Sequence, residues 1–266
     1  MMTYETLIVD QDDQGIVTVT LNRPDKKNAL SVTMTLELTQ VLGDIADSRE
    51  IRVVVLTGAG DAFTSGADLT PDKGDASFGG GPGTALLGMR RLGRLVLSLH
   101  NLPQPTIAAV NGVAVGAGCN LALGCDLIIA SDTARFSEIF ARRGLSIDGG
   151  GSWLLPRLIG LHKAKELAYL AEIISAEEAE RFGIVNRVVP AGDLNKVVTE
   201  LAQRIAAQPP IQISITKKLL NQSLSVSMSD AVEFEDVAQT LAFSSKDTAE
   251  AMSAFVEKRD PKFTGE

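Results

Sequence analysis

Two hydrophobic periods alternate along this chain, and the switches between them mark its elements. Residues 6–9 and 16–21 are short β-rich runs parted by Asp12-Asp13-Gln14-Gly15, which predicts a hairpin. After a polar loop at 23–28, Ser31 is placed to cap a helix whose apolar positions Met34, Leu38, Val41, Leu42 and Ile45 recur at helical spacing. Residues 53–57 and 106–110 are largely apolar runs, the pattern of strands buried on both faces. The stretch 63–69 predicts an irregular loop, and 70–83, rich in Gly, Asp and Pro without an apolar period, a mobile loop beside a site. A helix is predicted over 84–99, stopped by Pro103 and Pro105, and another from Gly116-Ala117-Gly118 through Leu123, followed by a strand at 126–130. Helices are predicted from near Ser152 and over 161–171 and 176–181, then a strand at 185–189 closed by Pro190. The rest reads as helix, at 194–207, 210–222, 228–241 and 246–257. Alternation of strand, turn and helix predicts an α/β class, with a change to all-helix near residue 200.

Composition narrows the partners. Forty-five per cent of the 266 residues are hydrophobic, enough for a sizeable core, and 25 basic against 33 acidic side chains leave a net charge of −8. With no basic stripe, nucleic acid is excluded as a partner class, while an anionic small molecule would need a few local cations. Cys119 and Cys125 lie in one apolar, glycine-rich stretch and predict buried free thiols, not a disulfide framework or a metal site. The acidic N-terminus does not read as a signal peptide, and no apolar run approaches the roughly 20 residues of a spanning helix. A cytoplasmic protein with no membrane partner is expected.

Two glycine-punctuated loops, 63–69 and 111–120, interrupt apolar strands. The second places small residues at a helix start, where free N–H groups suit an oxyanion; the same glycines also suit tight helix–strand packing. Neither loop has the spacing of a P-loop or a dinucleotide fingerprint. Asp148, set among glycines, either faces a cavity, where burial would raise its pKa and suit it to proton transfer, or caps the helix that begins near Ser152 or holds a turn. His100 and His162 are isolated and read as surface or capping residues, so a nucleophile triad has no support. Lys258, Arg259 and Lys262 form a solvated end or a grip for phosphates.

Taken together, these segments resemble the enoyl-CoA hydratase/isomerase (crotonase) family. The resemblance is carried, in order, by Leu21-Asn22-Arg23-Pro24 with Asn28-Ala29-Leu30, by residues 63–69, and by Ala109-Val110-Asn111-Gly112 with Gly116-Ala117-Gly118-Cys119. It continues through Gly149-Gly150 with Leu155-Pro156-Arg157, Gly183-Ile184-Val185-Asn186 with Val188-Val189-Pro190, and Phe255 with Lys258-Arg259, Pro261 and Phe263. It implies a spiral of ββα turns, residues 1–200, that binds acyl-CoA, and a helical oligomerisation region, 201–266, assembling a homotrimer or a dimer of trimers. It further implies a thioester oxygen held between the N–H groups of Ala67 and Ala117. Coenzyme A, part of the substrate and not a separate cofactor, would lie near Lys26, Lys27, Asp68, Leu69, Lys262 and Phe263. The acyl chain would run under the 70–83 loop in a pocket with Asn120, Phe140 and Trp153, and no metal is implied.

The departures from the family pattern redirect the chemistry. Family hydratases use two glutamates, and the matching positions here are Asn120 and Phe140, neither able to exchange a proton. Asp148 falls where some isomerases of the family carry their single acidic residue, and Glu138, two positions from the family's glutamate, is a second carboxylate. The expected activity is a Δ3-to-Δ2 double-bond shift in an enoyl-CoA through an oxyanion-stabilised enolate. The alternatives are a hydratase using Asp148 with Glu138, and a non-catalytic acyl-CoA-binding subunit.

Overall fold

The structure, a computed structural model, describes residues 4–69 and 81–266. The hairpin β1 (Leu7–Gln11) and β2 (Ile16–Leu21) pairs Leu7 with Leu21 and Gln11 with Val17. Ser31 caps α1 (Val32–Ala46) by accepting the Met34 N–H, and the helix buries the apolar stripe from Met34 to Ile45. Next in the chain come β3 (Val53–Gly58), β4 (Ala62–Thr64), α2 (Pro82–His100), β5 (Thr106–Val110), β6 (Val113–Val115), α3 (Ala117–Leu123), β7 (Leu127–Ser131) and β8 (Arg135–Ser137). A 3-10 turn, Ile139–Arg143, leads to α4 (Gly151–Ile159), α5 (Leu161–Leu170), β9 (Ile174–Ser175), α6 (Ala176–Phe182), β10 (Arg187–Val189) and α7 (Leu194–Ala206). Three helices close the chain: α8 (Pro210–Ser223), α9 (Met228–Phe243) and α10 (Lys246–Glu257).

Six strands form one sheet in the order β1-β2-β3-β5-β7-β10, parallel beyond the first hairpin, and four form a second in the order β4-β6-β8-β9. Each long strand β3, β5 and β7 passes its chain to a three-residue strand of the second sheet, so the chain climbs in ββα turns. One face of the large sheet and α1, α2 and α3 share the main core, which includes Val54, Leu56, Ala108, Val110, Leu38, Leu99 and Leu121. On the other face Val53, Val55, Ile107 and Ile129 pack against Leu194, Val198 and Ala202 of α7. At roughly 1.5–3 kcal/mol for each large apolar side chain, these two layers dominate the fold's stability.

The long elements match their predicted positions, and the differences have local causes. β4, β6, β8 and β9 were not predicted, because two or three residues are too few to display a period of two. Ala62–Thr64 is a strand that reaches into the loop predicted at 63–69. The strand predicted at 185–189 begins only at Arg187, since the Ile184 and Val185 N–H groups both donate to the Ala179 carbonyl and finish α6. α2 starts at Pro82, within the loop predicted for 70–83; residues 70–80 of that loop lie outside the described residues. Residue 200 falls inside α7, which packs on the sheet, so the helices with little buried surface begin at α8. α8 is tied to the body by Lys217, whose ammonium pairs with Asp126 at 2.7 Å and donates to the Gln104 carbonyl at 3.0 Å. Both cysteines are buried free thiols, and no helix among the described residues is long and apolar enough to cross a membrane.

Candidate active site

The segment that follows β4 of the smaller sheet brings Gly66 against the start of α3. Leu30 donates to the Gly66 carbonyl at 2.8 Å and accepts from the Asp68 N–H at 3.1 Å, a parallel bridge centred on Ala67. In such a bridge the central residue's own N–H points to the opposite side. On another side of Gly66 stand Val115 and Ala117: a Cβ built on Gly66, whose φ is 89°, would lie 2.5 Å from the Val115 oxygen and 3.6 Å from the Ala117 nitrogen. Ala117 opens α3, so its N–H has no acceptor within the helix. Among the described residues neither the Ala67 nor the Ala117 N–H has a hydrogen-bond partner. Two main-chain donors without partners among the described residues thus lie on neighbouring segments, with Gly66 packed against the start of α3.

One turn into α3, Asn120 is fully buried, and its amide nitrogen donates to the Asp148 main-chain oxygen at 2.9 Å and to Glu138 Oε2 at 3.3 Å. This single side chain gathers the two carboxylate residues into one place. Gly151 makes room for it, since a Cβ there would lie 2.4–2.6 Å from the Asn120 amide atoms. Asp148 does not cap α4: the N-cap is Gly150, with no side-chain cap bond. The Asp148 carboxylate is instead half-buried with Oδ1 lacking a partner among the described residues, and burial pushes its pKa up to about 6. Glu138 is almost fully buried, and its pKa rises to about 7, first through burial and then through the Asp148 charge, against the opposing hydrogen bonds from Asn120 and Cys119.

The remaining predicted residues fall into three groups. Phe140 is buried with its ring 3.7–3.8 Å from where a Cβ on Gly116 would stand, an apolar wall just behind the Ala117 N–H. Trp153 meets His100 edge-to-face at 5.3 Å and carries the Arg157 guanidinium 4.0 Å over its ring, so its described partners lie in the seam between α2 and α4. His100, expected as a surface or capping residue, lies half-buried in that seam in the last turn of α2, and burial and nearby Lys217 lower its pKa. Lys26 and Lys27 are exposed on the turn after β2, and their carbonyls hold Ser65 through its hydroxyl and N–H, at 3.4 and 2.9 Å. They therefore stand beside the segment that carries Ala67, as does exposed Leu69. Asp68 is engaged with Arg23 at 2.8 Å, and Arg23 also donates to the Ala29 carbonyl at 2.6 Å.

Lys262 and Phe263 are not brought to this group within one chain. The Phe263 carbonyl accepts from Arg52, which directly precedes β3, and among the described residues no hydrogen bond or ion pair joins Lys262 or Phe263 to Lys26, Lys27 or Ala67. Arg259 is neutralised by Glu250 and Glu257, and so is no free phosphate grip. The linking function of Asn120 was not read from the sequence, where it stood as pocket lining and as the replacement of a family glutamate. Arg23 and Asn28 were also missed; Asn28, in the left-handed region, ties its loop to the Ala59 and Ala62 carbonyls at 2.8 Å each. Both stood in the sequence only as motif residues of the 21–30 segment, and that motif in a hairpin-to-helix loop was the available signal.

Comparison with known proteins gives a consistent picture. A family model described as enoyl-CoA hydratase/isomerase matches residues 11–266. The chain is 38% identical over 258 residues to 1,2-epoxyphenylacetyl-CoA isomerase of Escherichia coli (strain K12), covering 97% of this chain and 98% of that one. It is 37% identical to the short-chain-enoyl-CoA hydratase of Clostridium acetobutylicum, at 97% coverage of both. Among solved structures, the enoyl-CoA hydratase of Bacillus anthracis superposes with a TM-score of 0.93 at 35% identity, covering 98% of this chain and all of that one. The expected crotonase-like spiral with its helical C-terminal region is therefore the fold of this chain.

Proposed function

The chain belongs to the enoyl-CoA hydratase/isomerase family, and within it we propose an isomerase that moves the double bond of a 3-enoyl-CoA to the 2-position. The thioester oxygen lies between the Ala67 and Ala117 N–H groups. The Asp148 carboxylate removes a proton from C2, and the charge flows into the thioester to give a dienolate. Each main-chain donor stabilises that oxyanion by about 3–4 kcal/mol in comparable sites. Asp148 then returns the proton to C4, leaving the conjugated 2-enoyl thioester with no net loss of atoms or charge. A base with a pKa about 6 is mostly ionised at neutral pH and still basic enough to attack an acidified C–H.

The observation that carries this reading is the state of Asp148: half-buried, unpaired at Oδ1 among the described residues, and held by its main chain on Asn120. Asn120 and Phe140 supply no second proton carrier for water addition. Lys26, Lys27 and Leu69 suit the coenzyme A portion, and α8–α10 form the assembly region of a cytoplasmic trimer or dimer of trimers. Exposed Leu220, Met228, Phe255 and Val256 on or beside those helices support that assignment. A hydratase is the second reading, favoured by the relatives that carry that name, with Asp148 and Glu138 activating water. The test is to give the protein a straight-chain 3-enoyl-CoA and a 2-enoyl-CoA in separate assays. Double-bond migration should exceed hydration by at least about a hundredfold; faster hydration contradicts the isomerase.

A further inference from the structure

We propose that Glu138 works as a neutral acid beside Asp148 and that loss of its proton switches the site off, an inference that rests on the isomerase reading above. Glu138 lies just after β8, with 3% of its surface exposed, and no cation pairs with it among the described residues. From α3 it is faced by the Asn120 amide and the Cys119 thiol, and from the loop before α4 by Asp148. β6 and β9 carry no titratable side chain. Arg142 and Arg143 on its own turn are exposed, Arg157 of α4 lies over Trp153, and Lys163 of α5 pairs with Glu166.

The hydrogen-bond count points the same way. Asn120 Oδ1, Glu138 Oε1 and Asp148 Oδ1 are all buried and without partners among the described residues. Against these three acceptors, one Asn120 nitrogen already serves both Glu138 Oε2 and the Asp148 carbonyl. A proton on Glu138 converts one acceptor into a donor, whereas an ionised Glu138 would leave a buried charge served only by the shared Asn120 nitrogen and the weak donor of the Cys119 thiol. Asp148, the more open of the two, ionises first, so the pair divides its labour: Asp148 is the base, and Glu138 keeps its proton.

During turnover only the substrate proton moves, from C2 to Asp148 and on to C4, while negative charge passes from Asp148 to the enolate. An ionised Glu138 would place a like charge beside that developing enolate in a low-dielectric setting. Glu138 is thus a positioning residue that acts on the charge of Asp148 and of the enolate.

The test is the pH profile of kcat/KM for double-bond migration in wild type and Glu138→Gln, from about pH 5 to 9. Wild type should rise as Asp148 ionises, about pH 6, and fall as Glu138 loses its proton, about pH 7. The variant should keep the rise and lose the fall. A side chain of merely structural importance would leave both limbs in place, so an unchanged fall in the variant overturns the inference while sparing the isomerase reading. Wild type without any double-bond migration overturns both. Should the variant fail to fold, infrared titration of wild type decides. The neutral carboxyl band should vanish over the same pH interval as activity, and disappearance elsewhere overturns the inference.

Discussion

Asp148→Asn is expected to lower kcat for the Δ3-to-Δ2 shift by about two to four orders of magnitude, the usual contribution of a positioned general base. The substitution is nearly isosteric, and the loop should keep its shape. Its anchor is the main-chain oxygen of residue 148, which accepts from Asn120 at 2.9 Å and from the Gly151 N–H at 3.0 Å. Binding of a saturated acyl-CoA should therefore change by less than about threefold, which separates lost chemistry from lost binding. Stability supplies an independent sign. Burial raises the Asp148 pKa from 3.8 in the unfolded chain to about 6 in the fold, so between those values the folded state holds more protons. Stability accordingly falls as pH rises from about 4 to about 6, and the loss is complete above that range. The asparagine variant is exempt from this loss and should melt higher than wild type at neutral pH and above. Lower activity with higher Tm is the pattern of a residue kept for its chemistry. Full activity in the variant would remove Asp148 from the mechanism.

Gly66→Ala carries the second large effect. The backbone here has φ 89°, a region that disfavours a side chain, and the new methyl would lie 2.5 Å from the Val115 carbonyl oxygen. Relief requires the 66–67 peptide to rotate or to move away from α3, which takes the Ala67 N–H off the oxygen position proposed for the thioester. Loss of one such donor lowers kcat by about a hundred- to a thousandfold in comparable sites. Steady-state kinetics should show the loss mainly in kcat, because the interaction strengthens as charge develops on the oxygen. Gly43→Ala in α1 is the control: nothing lies within 4 Å of a Cβ there, and alanine favours the helix by roughly 1 kcal/mol. Kinetics of the two variants that cannot be told apart would count against the oxyanion geometry.

The legible part of this molecule was the part with a period. Met34, Leu38, Val41, Leu42 and Ile45 announced α1, and the apolar runs of β3 and β5 announced strands covered on both faces. The second sheet was illegible because its strands span two or three residues and are defined by partners far away in the chain, such as Thr64 against Ala114. At the site, Asp148 was visible as a carboxylate among glycines, but cap and cavity could not be told apart. That difference lies in Gly150 taking the cap position and Asn120 holding the Asp148 main chain, a contact 28 residues away. The glycine at 151 was visible too, yet its reason, the Asn120 amide at 2.4 Å from an added Cβ, exists only in three dimensions. Lys262 and Phe263 show the converse: motif order put them with Lys26 and Lys27, and the fold of a single chain sends them to the other end of β3.

A crystal structure of the protein with a bound unreactive acyl-CoA tests the central claim most directly. The thioester oxygen should sit about 2.7–3.1 Å from both the Ala67 and the Ala117 nitrogens, with the Asp148 carboxylate over C2 and C4. An oxygen bound elsewhere, or an Asp148 side chain turned away from those carbons, would contradict the account.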